Sequence, residues 1–243
     1  MRQLFIPYKN TLHYSLSNFI SDDQDFVSKI LKTLDSSNFI GIHIYSEDAI
    51  GKTHILNALC NHFSDMKKNI SYIPLKDYKE LINYVEDNLT HLDFIFIDDI
   101  ECIFSKKEWE LSLIKIYNLV KDNNKKIIFS SNNISKDYDN IFFDDLRSRI
   151  SSLHTFEIPI KNEKNKIQIL KKYIERNHFN ISDKIVNYLM KYHDRSIRCS
   201  IKILNDLNDF SLSNKTRINL KNISNCFVWE PQKSLSDCLL LYS

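Results

Sequence analysis

The residues most suited to chemistry begin at Gly51-Lys52-Thr53, inside the stretch IYSEDAIGKTHIL at 44–56. A glycine, a lysine and a hydroxyl residue between a strand and a helix suit a phosphate group. Successive backbone N–H groups and the helix N-terminus face the anion. The lysine then reaches the β- and γ-phosphates, and the hydroxyl ligates Mg2+. This stretch opens with Ser46 where such loops carry glycine, and it places Glu47 and Asp48 in the middle. A non-glycine residue at positive φ costs about 1–3 kcal/mol, which tertiary structure can absorb. The two acids oppose a triphosphate unless they point outward. On this segment alone, an ordinary strand-to-helix turn remains an open alternative.

The second element is LDFIFIDDIECI at 92–103, an apolar run closed by Asp98-Asp99. A carboxylate at the end of a strand beside a phosphate loop holds Mg2+ through water, and its neighbour polarises the attacking water. Paired with Gly51-Lys52-Thr53, this reading outweighs a merely acidic sheet edge. A later run, IIFSSNN at 127–133, ends in Asn132, which suits a hydrogen bond to a γ-phosphate or lytic water; a plain strand-to-turn transition is the alternative. DDLRSRI at 144–150 supplies Arg147 and Arg149, and HDRSIRCSIKILNDL at 193–207 supplies Arg195 and Arg198. Arginine is planar, permanently charged and bidentate, so it bridges phosphate charge well. Solvated helix faces would account for Arg147 and Arg149 equally.

These residues need elements to position them. Short runs rich in Ile and Phe at 39–45, 70–75, 92–98, 125–131 and 154–160 alternate with helical patterns at 52–66, 76–87, 108–121 and roughly 141–150. Ile55, Leu59 and Phe63 share one face of the first of these helices. Such alternation predicts a parallel sheet covered on both faces, and FIFI, apolar throughout, suits a strand buried on both sides. After Pro159 the strands stop. Helical patterns follow at 162–177, 182–192, 195–209 and 219–227, with Asn162 and Ser182 placed as helix starts. The expected organisation is a segment 1–10, an α/β domain 11–160, a helical subdomain 161–227 and a tail 228–243.

Composition narrows the class. The 243 residues are 43% hydrophobic and 26% charged, which fits a folded chain of one domain with a satellite. No apolar run approaches the ~20 residues of a membrane-spanning helix. The five cysteines (Cys60, Cys102, Cys199, Cys226, Cys238) include no CxxC pair, and the eight histidines form no HExxH. A reducing, cytoplasmic setting without disulfides or zinc is therefore expected. A net charge of +2 does not indicate a protein that coats DNA. Only two glycines occur, and one of them directly precedes Lys52.

In their order along the chain, the loop at 46–53, IDDIECI, WELSLIKIYNLV, the Asn-ended strand, LRSRI and DRSIRCSIKIL resemble the DnaA/Hda-like AAA+ family over roughly residues 1–227. Within it they look more like the Hda-type regulatory inactivators of DnaA, whose loop also opens with serine. The resemblance implies an α/β, P-loop AAA+ domain with a five-stranded parallel sheet and a small C-terminal all-α lid. It implies ADP (or ATP) and Mg2+ held by Ser46, Gly51, Lys52, Thr53, Asn132 and Arg198, with Thr53 and Asp98 on the metal and Asp99 at the hydrolytic position. Arg149, in preference to Arg147, becomes an arginine finger acting in trans.

Gln3-Leu4-Phe5-Ile6-Pro7 resembles the peptide by which partners bind the DNA polymerase III β sliding clamp; a strand packing on its own domain is the alternative. The implied function is an adaptor, weak at most as an ATPase, that binds loaded clamp and stimulates hydrolysis of DnaA-bound ATP. DNA is then met only through the clamp, a homodimer is expected, and membranes are not involved. The 16 residues after Phe227 are expected to be too few for an initiator's DNA-binding domain. A helicase loader and a DnaA-like initiator ATPase domain are the rival readings.

Overall fold

The computed structural model describes residues 14–35, 38–46, 51–76, 91–134, 140–192 and 196–218. The chain divides into two compact units, Met1–Pro159 and Ile160–Ser243. In the first unit, α1 (Phe26–Leu34) precedes β1 (Ile40–Tyr45), α2 (Lys52–Asp65), β2 (Ile70–Pro74), β3 (Phe94–Asp98), α3 (Lys107–Asp122), β4 (Lys126–Ser131), α4 (Asp144–Ser151) and β5 (His154–Glu157). The five strands form one sheet in the order β2-β3-β4-β1-β5, and every described pairing is parallel. A parallel sheet needs its crossovers on its faces, which buries the central strands. β3 is accordingly buried at all five positions.

Each expected strand is present, slightly trimmed. The last covers 154–157 rather than 154–160: Ile158 donates one more bond to Tyr45, the residue at which β1 ends. α2 buries Ile55, Leu59 and Phe63 together, as their spacing predicts. The last helix of the first unit covers 144–151 rather than 141–150. Gly41 is glycine for space, because a Cβ there would lie 2.3 Å from Leu153 Cδ2.

The second unit consists of α5 (Glu163–Arg176), α6 (Asp183–Tyr192) and α7 (Ile197–Asn214). Leu170, Ile185, Val186, Leu189, Leu204 and Leu207 are buried there. Asn162 caps α5 by accepting from Lys164 N at 2.9 Å, and Ser196 caps α7. The segment 1–10, most of the helix expected at 76–87, and 219–243 lie outside the described residues.

Candidate phosphate-binding site

Because β1, β3 and β4 run parallel, their C-terminal ends share one edge of the sheet, and α2 starts at that edge. Ligands of open α/β sheets bind at this edge. Ser46 is buried just past β1, its N–H donating to the Ser131 carbonyl at 3.3 Å. Positions 47–50, including Glu47 and Asp48, lie outside the described residues. Gly51 caps α2 at φ 78°, a left-handed backbone that glycine adopts without strain.

Lys52 is buried, and its Nζ donates to Asn132 Oδ1 at 2.5 Å and lies 3.7 Å from Asp99 Oδ1. The Thr53 hydroxyl donates to Asp98 Oδ2 at 2.7 Å. Five of the expected site residues thus meet: Lys52 and Thr53 from α2, Asp98 and Asp99 from the end of β3, and Asn132 from the end of β4. Asp99 takes a left-handed conformation, φ 55°, and its N–H donates to Ser130 Oγ at 3.0 Å. Burial, and then the neighbouring Asp98 charge, raise the Asp99 carboxyl above its ordinary value, and Lys52 opposes both.

Three residues of this cluster were not singled out from the sequence. Tyr72 on β2 donates its hydroxyl to Asp98 Oδ2 at 2.8 Å, and Ser130 donates to Asp98 Oδ1. Glu101 accepts the Asn132 N–H on Oε1 at 3.1 Å, while its buried Oε2 has no hydrogen-bond partner. Burial pushes the Glu101 carboxyl up to about 7, partly offset by Lys52. The available signals were weak: Tyr72 shares a strand face with Pro74, which pairs with Asp98, and Glu101 follows Asp98 by three.

No group of three or more His, Cys, Asp or Glu among the described residues is placed to hold a metal by itself. A hydroxyl beside one carboxylate instead fits Mg2+, which keeps its waters and takes one or two protein ligands plus phosphate oxygens. Thr53 and Asp98 are that pair.

Arg149 is bonded to groups outside this cluster. Arg149 donates from Nε to Asp145 Oδ2 at 3.0 Å and from Nη1 to Asn118 Oδ1, with its Cζ 5.2 Å from the Tyr117 ring centroid. Arg147 Nη1 lies 3.7 Å from Asp144 Oδ1. Arg198 is exposed in the first turn of α7, in the second unit. Arg195 and Gln3–Pro7 lie outside the described residues.

A five-stranded parallel sheet in this order, with a lysine-hydroxyl pair opening the helix after β1 and paired acids closing β3, defines a P-loop protein of the AAA+ type. The model of the bacterial DnaA ATPase domain matches residues 14–157, and the chain belongs to that family. Domain III of the Thermotoga maritima replication initiation protein DnaA superposes with a TM-score of 0.72 at 18% identity, covering 89% of this chain and 96% of that one. AMPPCP-bound DnaA from Aquifex aeolicus gives 0.62 at 23% identity, covering 84% and 69%. The Thermotoga maritima RuvB Holliday junction branch migration motor shares the fold at 0.57 and 20% identity, over 87% and 70%.

Proposed function

We propose that this protein is a nucleotide-dependent adaptor that regulates replication initiation by stimulating hydrolysis of ATP bound to DnaA while tethered to the β sliding clamp. In this reading ADP or ATP sits against Lys52, with Ser46 and Gly51 lining the loop and Asn132 at the terminal phosphate. Thr53 and Asp98 hold Mg2+, which screens phosphate charge when bound. Asp99 orients water, with the Lys52 ammonium 3.7 Å from its Oδ1. Arg198 contributes to the same nucleotide from the helical unit. The adaptor works as a dimer, and its N-terminal Gln3-Leu4-Phe5-Ile6-Pro7 fills the apolar groove of the clamp, keeping Arg149 at high local concentration near its target.

The observation that carries the trans reading is the bonding of Arg149. Its partners are Asp145, Asn118 and Tyr117, none of them a member of the Lys52 cluster. An arginine held away from its own nucleotide's ligands favours service to another protein's ATP. Fingers supplied in trans accelerate NTP hydrolysis by about 10³–10⁵-fold.

The test mixes this protein with ATP-bound DnaA, with and without DNA-loaded clamp, and follows phosphate release. Clamp-dependent stimulation is expected, lost in Arg149→Ala and weakened in Gln3→Ala. No stimulation by the wild type sinks the adaptor reading; full stimulation by Arg149→Ala sinks the finger. The likeness to domain III of an initiator favours a second reading, an initiator-type ATPase domain. That reading requires ATP turnover by this protein alone.

A further inference from the structure

Asp98, the acid placed to hold Mg2+, already carries three protein hydrogen bonds. Ser130 Oγ donates to Oδ1, Thr53 Oγ1 to Oδ2 at 2.7 Å, and Tyr72 OH to the same Oδ2 at 2.8 Å. Two of these suit a metal site. The Thr53 oxygen keeps a lone pair for a cation while its proton points at Asp98. Ser130 fixes the far oxygen and also accepts the Asp99 N–H. Tyr72 does neither. Its only proton occupies the carboxylate oxygen that Thr53 shares, the one nearest a cation on the Thr53 hydroxyl.

The fold delivers Tyr72 to this point by register. β2 is an edge strand beside β3, and Pro74 pairs with Asp98. Tyr72 stands two residues earlier on the same face, so a long side chain is needed to reach the end of β3. The Asn57 side chain on α2 also hydrogen-bonds the phenol, and it donates to the Thr53 carbonyl at 2.7 Å. Thr53, Asp98, Tyr72 and Asn57 thereby close a ring across α2, β2 and β3. Burial and the Asp98 charge raise the phenol well above its ordinary range, so its proton stays available to Asp98.

An ionised carboxylate offers about four lone-pair positions. Three are taken, two of them on Oδ2. We propose that Tyr72 is a positioning residue that acts through Asp98: its hydroxyl competes with Mg2+ and the water around it, and so reduces how much the cation contributes to nucleotide binding. The inference rests on the reading of this cluster as a nucleotide site. Regulation by a bound nucleotide is served by such damping, because the nucleotide is then held without strong dependence on the metal that drives hydrolysis.

Tyr72→Phe keeps the ring and removes only the hydroxyl. A fluorescent ADP is titrated into the full chain at a series of Mg2+ concentrations and in EDTA. The half-saturating Mg2+ for tight binding is expected to fall about three- to tenfold in Tyr72→Phe, part of the full effect of a hydrogen bond to a charged group. Binding in EDTA is expected to change by less than about twofold. Asn57→Leu, which leaves the phenol unoriented, shifts the Mg2+ midpoint the same way by less, and serves if Tyr72→Phe does not fold. In the Asp98→Asn background the Tyr72→Phe shift disappears. An unchanged or higher Mg2+ midpoint in both single variants overturns the proposal, and so does a shift that survives Asp98→Asn. If the wild type binds no ADP at any Mg2+ concentration, the nucleotide reading itself falls, and this inference falls with it.

Discussion

At the scale of single residues, the site is a balance of buried charges. Lys52 is placed between Asn132 and Asp99, and Glu101 secures the backbone beneath Asn132. Glu101 is the least settled member: its Oε2 is buried without a partner, and its carboxyl titrates at about 7 instead of 4.5. A carboxyl raised by folding adds stability that is fully present below about 4.5 and lost as the pH rises through about 7. Its ionisation near neutrality therefore costs stability on the order of 3 kcal/mol. Glu101→Gln is expected to stabilise the protein by about 2–3 kcal/mol at pH 8 and to make no difference near pH 4.5. Urea titrations at the two pH values check this; equal effects at both would exclude the titration of Glu101 as the cause.

At the scale of elements, one acid joins two helices. Glu110 in the first turn of α3 is fully buried, and its carboxylate accepts from Ser105 N at 2.8 Å, Phe142 N at 2.9 Å and Phe143 N at 3.0 Å. The last two lie immediately before α4, which carries Arg147 and Arg149. A carboxylate accepting several N–H groups fixes where α4 begins, in place of a side-chain cap at Phe143. Glu110→Ala leaves these donors unpaired and is expected to cost about 3 kcal/mol in urea unfolding, with faster amide exchange at Phe142 and Phe143. Glu110→Gln, which keeps one acceptor, should fall between. Full protection of both amides in Glu110→Ala would show that other groups set the start of α4.

At the scale of the whole molecule, the scarcity of glycine has a measurable consequence. Both glycines stand where glycine is favoured, Gly41 for space against Leu153 and Gly51 at positive φ. The left-handed residues that end helices are therefore other types: Lys67 after α2, Asn124 after α3, His178 after α5 and Lys215 after α7. At the first, Lys67 N bonds Ser64 O and Lys68 N bonds Phe63 O, a pair repeated at Asn124–Lys125 and His178–Phe179. This closure normally uses glycine. Lys67→Gly, His178→Gly and Lys215→Gly are each expected to stabilise by about 0.5–1 kcal/mol, roughly additively, in thermal unfolding; Asn124→Gly gains least, because asparagine tolerates this conformation.

The sequence alone determined the features that depend on neighbours along the chain. Apolar runs marked five strands, three-to-four spacing marked the helices, and Gly51-Lys52-Thr53 at a strand-helix junction with Asp98-Asp99 at a strand end marked the site. Periodicity and local backbone chemistry suffice for these. The tertiary structure decided which residues meet. Lys52 and Asn132 are 80 positions apart and Tyr72 and Asp98 are 26 apart, and both pairs form because parallel strands end at one edge. Strand order and register set that edge, and neither follows from periodicity: Tyr72 looks like any aromatic residue of a strand until β2 is laid beside β3. The acids Asp98 and Glu101 differ in role because of what folding packs around them, three donors for one and an unpartnered oxygen for the other.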